Sequence, residues 1–341
     1  MKKTLSSFPM SVMLFATFGI AQDKQPLKLV ATTPLPGFSG DFDHFAVDLK
    51  GNRLFLAAED HKTVEVFDLK TGKPLHSIAG FRAPHALLYL PDSDKFIVTD
   101  GEDDFGVVAL VNGQDYKILD TIKLPNGVDG AKFNPVNKYY YVESGGGASK
   151  AKTHPISIID TKTFKPVGEI TLPGNRSEAM AIDHAGKKLY VNNTGTDEVL
   201  VVDLNTRQII AKWPVPDAHV QNAMALDEPH HRLFSATRQP PTFFVFNTDT
   251  GKVVTTVPCA GFNDDMWFDT ARKRIYVTGS ETTTVIEQRD ADHYQNVADV
   301  ATGFRAKTSV FVPELNRLYI AVSGKGKPDA KLALQIFEAQ P

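Results

Sequence analysis

One period runs through this chain, and it constrains the fold more than any other feature. Short strand-like segments recur at Arg53-Leu-Phe-Leu56, Lys95-Phe-Ile-Val98, Tyr139-Tyr-Tyr-Val142, Lys188-Leu-Tyr-Val191, Arg232-Leu-Phe-Ser235, Arg274-Ile-Tyr-Val277 and Arg317-Leu-Tyr-Ile320. The second residue of each serves as an anchor: 54, 96, 140, 189, 233, 275 and 318, with spacings of 42, 44, 49, 44, 42 and 43. A fixed period of this size is the mark of a repeat architecture.

The interior of each repeat reads as short strands and tight turns. Six residues before four anchors stands an aspartate, Asp48, Asp183, Asp227 or Asp269, with turn residues such as Lys50-Gly51-Asn52 in between. That predicts a hairpin joining two strands. A β-branched or aromatic run follows the anchor, as in Val64–Phe67, Ile156–Ile159, Val199–Val202 and Phe243–Phe246, and ends in Asp68, Asp160, Asp203 or Asn247. Thr71, Thr163, Thr206 and Thr250 come three residues later. Asp and Asn side chains bond the backbone of such turns. A fourth strand comes next, as in Pro166–Leu172. Four strands per repeat, seven repeats and no helical period predict an all-β, seven-bladed β-propeller of four-stranded blades.

The seventh repeat supplies only three strands, Thr308–Val312, Arg317–Ala321 and Leu332–Phe337. Residues Leu27–Pro36 align without gaps with the fourth-strand segments Tyr116–Pro125 and Phe164–Pro173, sharing the Lys and the Leu-Pro pair. The N-terminal strand is therefore expected to complete the last blade and close the ring. Before it, Lys2 and Lys3 precede a mostly apolar run of 13 residues, Phe8–Ile20, too short to span a bilayer. Gly19 and Ala21 suit a cleavage after Ala21. We read 1–21 as a signal peptide and 22–341 as a single propeller domain, periplasmic or extracellular (secreted), with no membrane span after signal removal.

Composition removes several chemistries. Cys259 is the only cysteine, so an intramolecular disulfide, a cysteine-rich zinc site and covalent haem attachment are excluded. Without Lys2 and Lys3 the chain carries 35 basic and 40 acidic residues, a poor match to nucleic acid. No G-x-S-x-G, H-E-x-x-H, P-loop or G-x-G-x-x-G pattern occurs. Gly145-Gly-Gly147 reads as a flexible insertion, Asp100–Asp104 as a solvated acidic turn, and His230-His231 as a turn facing water. Cys259 reads as a small buried apolar residue, and Phe45, Trp267 and Phe268 as core packing.

Tyr190-Val-Asn-Asn193 and Tyr276-Val-Thr-Gly279, with the following Val-x-Val-x-Asp and Thr-Gly-Lys pieces, resemble the repeat of the YVTN-type bacterial β-propellers. In general form it is similar to WD40-like repeats. The resemblance covers the mature chain and implies architecture rather than activity. Similar propellers include ligand-binding proteins, lactonases and quinone or haem enzymes, so fold alone does not choose the function.

The period also isolates a set of polar residues. Eleven positions before the anchors stand Asp43, His85, Asp129, Glu178, Asn222, Asp264 and Lys307, all polar and four of them carboxylates. Two positions further on stand Phe45, Leu87, Ala131, Met180, Met224, Met266 and Ser309, mostly apolar. In propellers similar to this one, the loop entering the innermost strand lies where the channel opens and ligands bind. The seven polar residues are therefore expected to ring that mouth. His44, Arg82, Arg176, His219 and Arg305 flank the same loops, and Gly-Phe recurs there at Gly80-Phe81, Gly261-Phe262 and Gly303-Phe304. Carboxylates crowded at one opening raise each other's pKa unless a lysine, an arginine or a cation sits among them.

Two function classes follow. The first is a binding protein taking a small molecule or a protein partner at the mouth, with no catalytic residue assigned. The second, implied by the resemblance, is a divalent-metal-dependent, lactonase-like hydrolase at the same mouth. Glu178, Asn222 and Asp264 would hold its cation, and such oxygen ligands suit Ca²⁺ or Mg²⁺. His85 or His44 would then be the candidate base.

Overall fold

The computed structural model describes residues 25–146, 149–327 and 329–341. Residues 1–21, expected to be a signal peptide, lie outside the described residues. The repeats fold as expected: seven antiparallel sheets, each of four strands. Blade one comprises Phe45–Asp48, Arg53–Ala58, Thr63–Asp68 and Pro74–Ile78, and the next five follow the same up-and-down order. Blade seven comprises Thr308–Val312, Arg317–Val322, Ala333–Ala339 and the N-terminal strand Leu27–Pro34. That last strand pairs antiparallel with Ala333–Ala339, from Leu27 opposite Ala339 to Pro34 opposite Ala333. The first strand of each blade packs against the first strands of both neighbours, so these strands surround the central channel.

The turns form for the reasons the sequence gives. The Asp48 carboxylate accepts the Gly51 N–H at 2.8 Å and the Arg53 Nε–H at 2.8 Å, and the Asp183 carboxylate accepts the N–H groups of Lys187 and Lys188. After the third strands, Asp68 accepts both the N–H and the hydroxyl of Thr71, and Asp203 does the same with Thr206. Asn247 repeats the pattern with Thr250.

The core is divided into seven wedges, one between each pair of adjacent blades. Between blades one and two, Phe55, Val64 and Val66 meet Phe96, Val98 and Val111. Each such side chain contributes about 1.5–3 kcal/mol by leaving water.

Three local expectations change. The acidic segment Asp100–Asp104 is mostly strand: Lys95–Glu102 pairs with Phe105–Asn112, leaving only Asp103 and Asp104 in the turn. Asp100 is buried because it accepts the backbone N–H groups of Arg82 and Ala83. The described part of the glycine loop is tied down rather than loose. The Gly145 N–H reaches Asn126 and Gly127 carbonyls, and the Gly146 N–H reaches that of Asn175; Gly147 lies outside the described residues. Cys259 is half-buried, and burial pushes its thiol up to about 12. His230 and His231 face solvent beside Asp227 and Asp249.

Candidate functional site

The seven residues of the polar register converge on one cavity of about 200 Å³. Asp43, His85, Asp129, Glu178, Asn222, Asp264 and Lys307 all line it, one from each blade. Of the flanking residues, His44, Arg176 and Arg305 join them. Arg82 does not: it turns outward, 60% exposed, over the Phe105 ring and beside Asp104. His219 is exposed and pairs with Asp197.

Charges alternate in sign around more than half of the ring. Lys307 Nζ donates to the Asp264 carboxylate and lies 3.8 Å from Asp43. Asp43 lies 2.6 Å from His85 Nδ1, and the same nitrogen is 3.5 Å from Asp129. His44 stands 3.5 Å from Asp43 and 3.2 Å from Asp265. Arg238 donates to Asp264 at 2.8 Å, and the Asn222 amide donates to it at 3.2 Å.

The titration of these groups follows from their neighbours. Burial alone would raise the Asp43 pKa, but His44, Lys307 and His85 together hold it well below the usual carboxylate range. Burial likewise opposes ionisation of Asp264, yet Lys307 and Arg238 lower its pKa. Burial works against a charged His85, but Asp129 and Asp43 push it up to about 10. His44 is raised well above the ordinary imidazole range because Asp43 and Asp265 outweigh its burial. The expected mutual repulsion survives elsewhere. Burial pushes Glu178 up to about 7, with Arg176 opposing and Asp129 and Asp264 adding to the shift. Burial and then Asp43 push Glu59 up to about 7.

Several mouth residues lie outside the register chosen from the sequence. Glu59 and Arg238 both stand five positions after their anchors, and Glu143 stands three after its own. The second strand of each blade runs antiparallel to the first, so its C-terminal end returns to the same face. Counting forward from the anchors as well as backward would have found them. Phe262 sits between two guanidinium groups, with Arg238 and Arg305 each 4.3 Å from its ring centroid. This arrangement accounts for one of the recurring Gly-Phe pairs, whereas Phe81 is buried in the wedge between blades one and two.

The residues bear on the question of a cation. Asp264 already receives Lys307 and Arg238, so the Glu178, Asn222 and Asp264 trio offers a divalent ion a partner neutralised twice over. Among the described residues, two groups of ligand atoms lie within 4.8 Å of one another: Asp129, Glu143 and Glu178, and Asp43, His85 and Asp129, the second already held together by the charged His85. Glu143 accepts the Ser177 hydroxyl at 2.5 Å, and burial with Glu178 and Asp129 raises its pKa well above the ordinary value. Arg176 donates to Glu178 at the edge of this group.

Below the mouth the apolar register lines a second cavity of about 240 Å³, with Phe45, Leu87, Ala131, Met180, Met224, Met266 and Ser309 in its wall. His44, Glu178, Asn222 and Asp264 line both cavities, so the two adjoin. Trp267, expected as core, also faces this channel and donates its indole N–H to Ser309.

No protein-family model matches the chain. A stretch of 177 residues is 24% identical to the uncharacterized protein YncE of Salmonella typhimurium strain LT2. The match spans 51% of this chain and 49% of that protein, about half the length of each. Among solved structures, a chain of the mitotic checkpoint complex superposes with a TM-score of 0.75 at 14% identity, covering 100% of both chains. A chain of Kuenenia stuttgartiensis hydrazine synthase gives 0.71 at 18% identity over 84% of this chain and 96% of that one. At such identities the likeness shows the fold alone.

Proposed function

We propose that the protein is an exported binding propeller of the YVTN-repeat type whose ligand sits in the channel mouth. One observation carries this reading: seven residues separated by whole repeats line a single cavity with Arg176, Arg238 and Arg305 beside them. Scaffolding a ring needs apolar wedges, not a converging charged set. The mixture of near-neutral carboxyls with arginines and a lysine suits a small polar ligand carrying both an acceptor and a donor. Export, to the periplasm or the medium, rests on the residue 1–21 pattern and is checked by fractionation and the N-terminal sequence of the mature protein.

The binding test is a thermal-shift screen of small polar metabolites against wild type and an Asp129→Asn/Glu178→Gln double variant. Compounds that bind the mouth should raise the wild-type melting temperature and bind the variant at least about tenfold more weakly, as expected when a partner of a buried polar contact is lost. Equal shifts in both proteins would move the site elsewhere. A second reading, the divalent-metal hydrolase, is favoured by the approach of Asp129, Glu143 and Glu178, and less by that of Asp43, His85 and Asp129, where the imidazole is pushed toward its charged form. Stoichiometric calcium or magnesium in the purified protein would support it.

A further inference from the structure

The channel below the mouth holds a residue that neither packing nor pairing explains. Eight positions before the seven anchors stand Ala46, Leu88, Lys132, Ala181, Ala225, Trp267 and Val310. Six of the seven are apolar, and five of them, Ala46, Leu88, Ala181, Ala225 and Val310, pack in the wedges between blades, while Trp267 lines the channel. Lys132, on the innermost strand Val128–Asn134 of blade three, is the exception. Its side chain is exposed, but to the cavity of about 240 Å³ that it lines with Leu87, Met180, Met224 and Met266. Among the described residues its ammonium group makes no ion pair and no hydrogen bond, although an ion pair would be the ordinary use of a lysine in such a place.

We propose that Lys132 is a carbonyl-capturing lysine, whose amine condenses inside the channel with a small aldehyde admitted through the mouth. The neutral Nζ attacks the carbonyl carbon and forms a carbinolamine. That adduct then expels its hydroxyl with a proton as water, leaving an imine. One aldehyde is consumed and one water released, with no change of oxidation state. The reaction runs through the unprotonated amine, and a lysine set among apolar side chains reaches that form more readily than one in bulk water. Burial lowers the Lys132 pKa, with Asp265 alone opposing. The other titratable groups on the cavity wall are His44, Glu143, Glu178 and Asp264. His44 is itself bonded to Asp265, and Asp264 to Lys307 and Arg238, so their charges are largely spent. The four residues common to both cavities place the entrance at the mouth. The reading goes beyond ligand binding at the mouth and holds whichever ligand the mouth takes.

The full chain is incubated with propanal and sodium cyanoborohydride near neutral pH, and N-propylation of each lysine is followed by peptide mass spectrometry. Lys132 should be labelled several-fold faster than exposed Lys50 and Lys62, with a pH midpoint below theirs. The variant Lys132→Met should lose that adduct and leave labelling at Lys50 unchanged. Labelling of Lys132 no faster than Lys50, or with the pH profile of an ordinary lysine, would overturn the proposal. The wild-type profile alone decides this should the variant fold poorly.

Discussion

His85 shows how one residue ties the mouth together. Its Nδ1 lies 2.6 Å from Asp43 of blade one, and its Nε2 donates at 2.9 Å to the Gly101 carbonyl of its own blade. Both nitrogens donate only when the ring is charged. The pKa, pushed up to about 10, exceeds the value of about 6.5 expected in the unfolded chain. The stabilisation is therefore fully present below about pH 6.5 and is lost as pH rises through about 10. Glu59 and Glu178, both raised to about 7, lose stability in the same direction over a lower window, from the ordinary glutamate value upward. Wild type should lose on the order of 2 kcal/mol more than His85→Gln between about pH 6 and pH 10, read from denaturant melts at each pH. Parallel losses would mean that the charged pair contributes nothing. The ring of residues to which His85 belongs was legible because the period is nearly constant and the first strands enter from one face. Its charge balance was legible only in part. Lys307 belongs to the register, and ring closure sets it between Asp264 and Asp43, whereas Arg238, which also pairs with Asp264, stands on a second strand outside that register.

At the scale of elements, the turns were the most legible part of the chain. Asp68 and Asp203 bond the N–H groups that a three-residue spacing to threonine brings within reach, and such local bonds need no tertiary context. Asp100–Glu102 misled for the converse reason. A run of acids and glycine reads as a turn, but the strand continues because Asp100 finds buried N–H donors in the preceding loop. Gly101 within that strand has a tertiary reason to be glycine. A Cβ there would lie 2.5 Å from the Val128 carbonyl oxygen and 2.7 Å from the Val128 nitrogen, backbone atoms of the next blade. The two blades approach through this gap, and the Gly101 carbonyl also receives His85. Gly101→Ala should destabilise the protein by about 1–3 kcal/mol, as overpacking does elsewhere. Because it also displaces the acceptor of His85, the pH dependence of its melting should flatten toward that of His85→Gln. A variant that melts as wild type at every pH would show that the blades yield without cost.

The whole molecule is a circle of seven wedges, and a circle is no stronger than its closing sheet. Blade seven joins the chain's two ends: Leu27 packs with Phe337 and Ala339 between blades six and seven, while Leu35 packs with Leu334 and Ile336 between blades seven and one. The strand Leu27–Pro34 is otherwise mostly exposed, so its contribution lies in backbone pairing and in these flanking side chains. Opening the ring has a cost beyond the lost pairs. Without this strand, Ala333–Ala339 becomes an uncovered edge that presents unpaired N–H and C=O groups to other chains. The neighbouring wedges also lose part of their apolar wall. Deletion of residues 27–35 should therefore lower the melting temperature and produce concentration-dependent aggregation, followed by light scattering. A circular permutant that restores the strand after Ala339 through a short linker should recover both properties, since it rebuilds the same pairs in the same sheet. Recovery in the permutant separates closure from a mere need for the N-terminal residues. A deleted protein that stays monomeric and melts as wild type would show that six complete blades and three strands hold the channel mouth without the clasp.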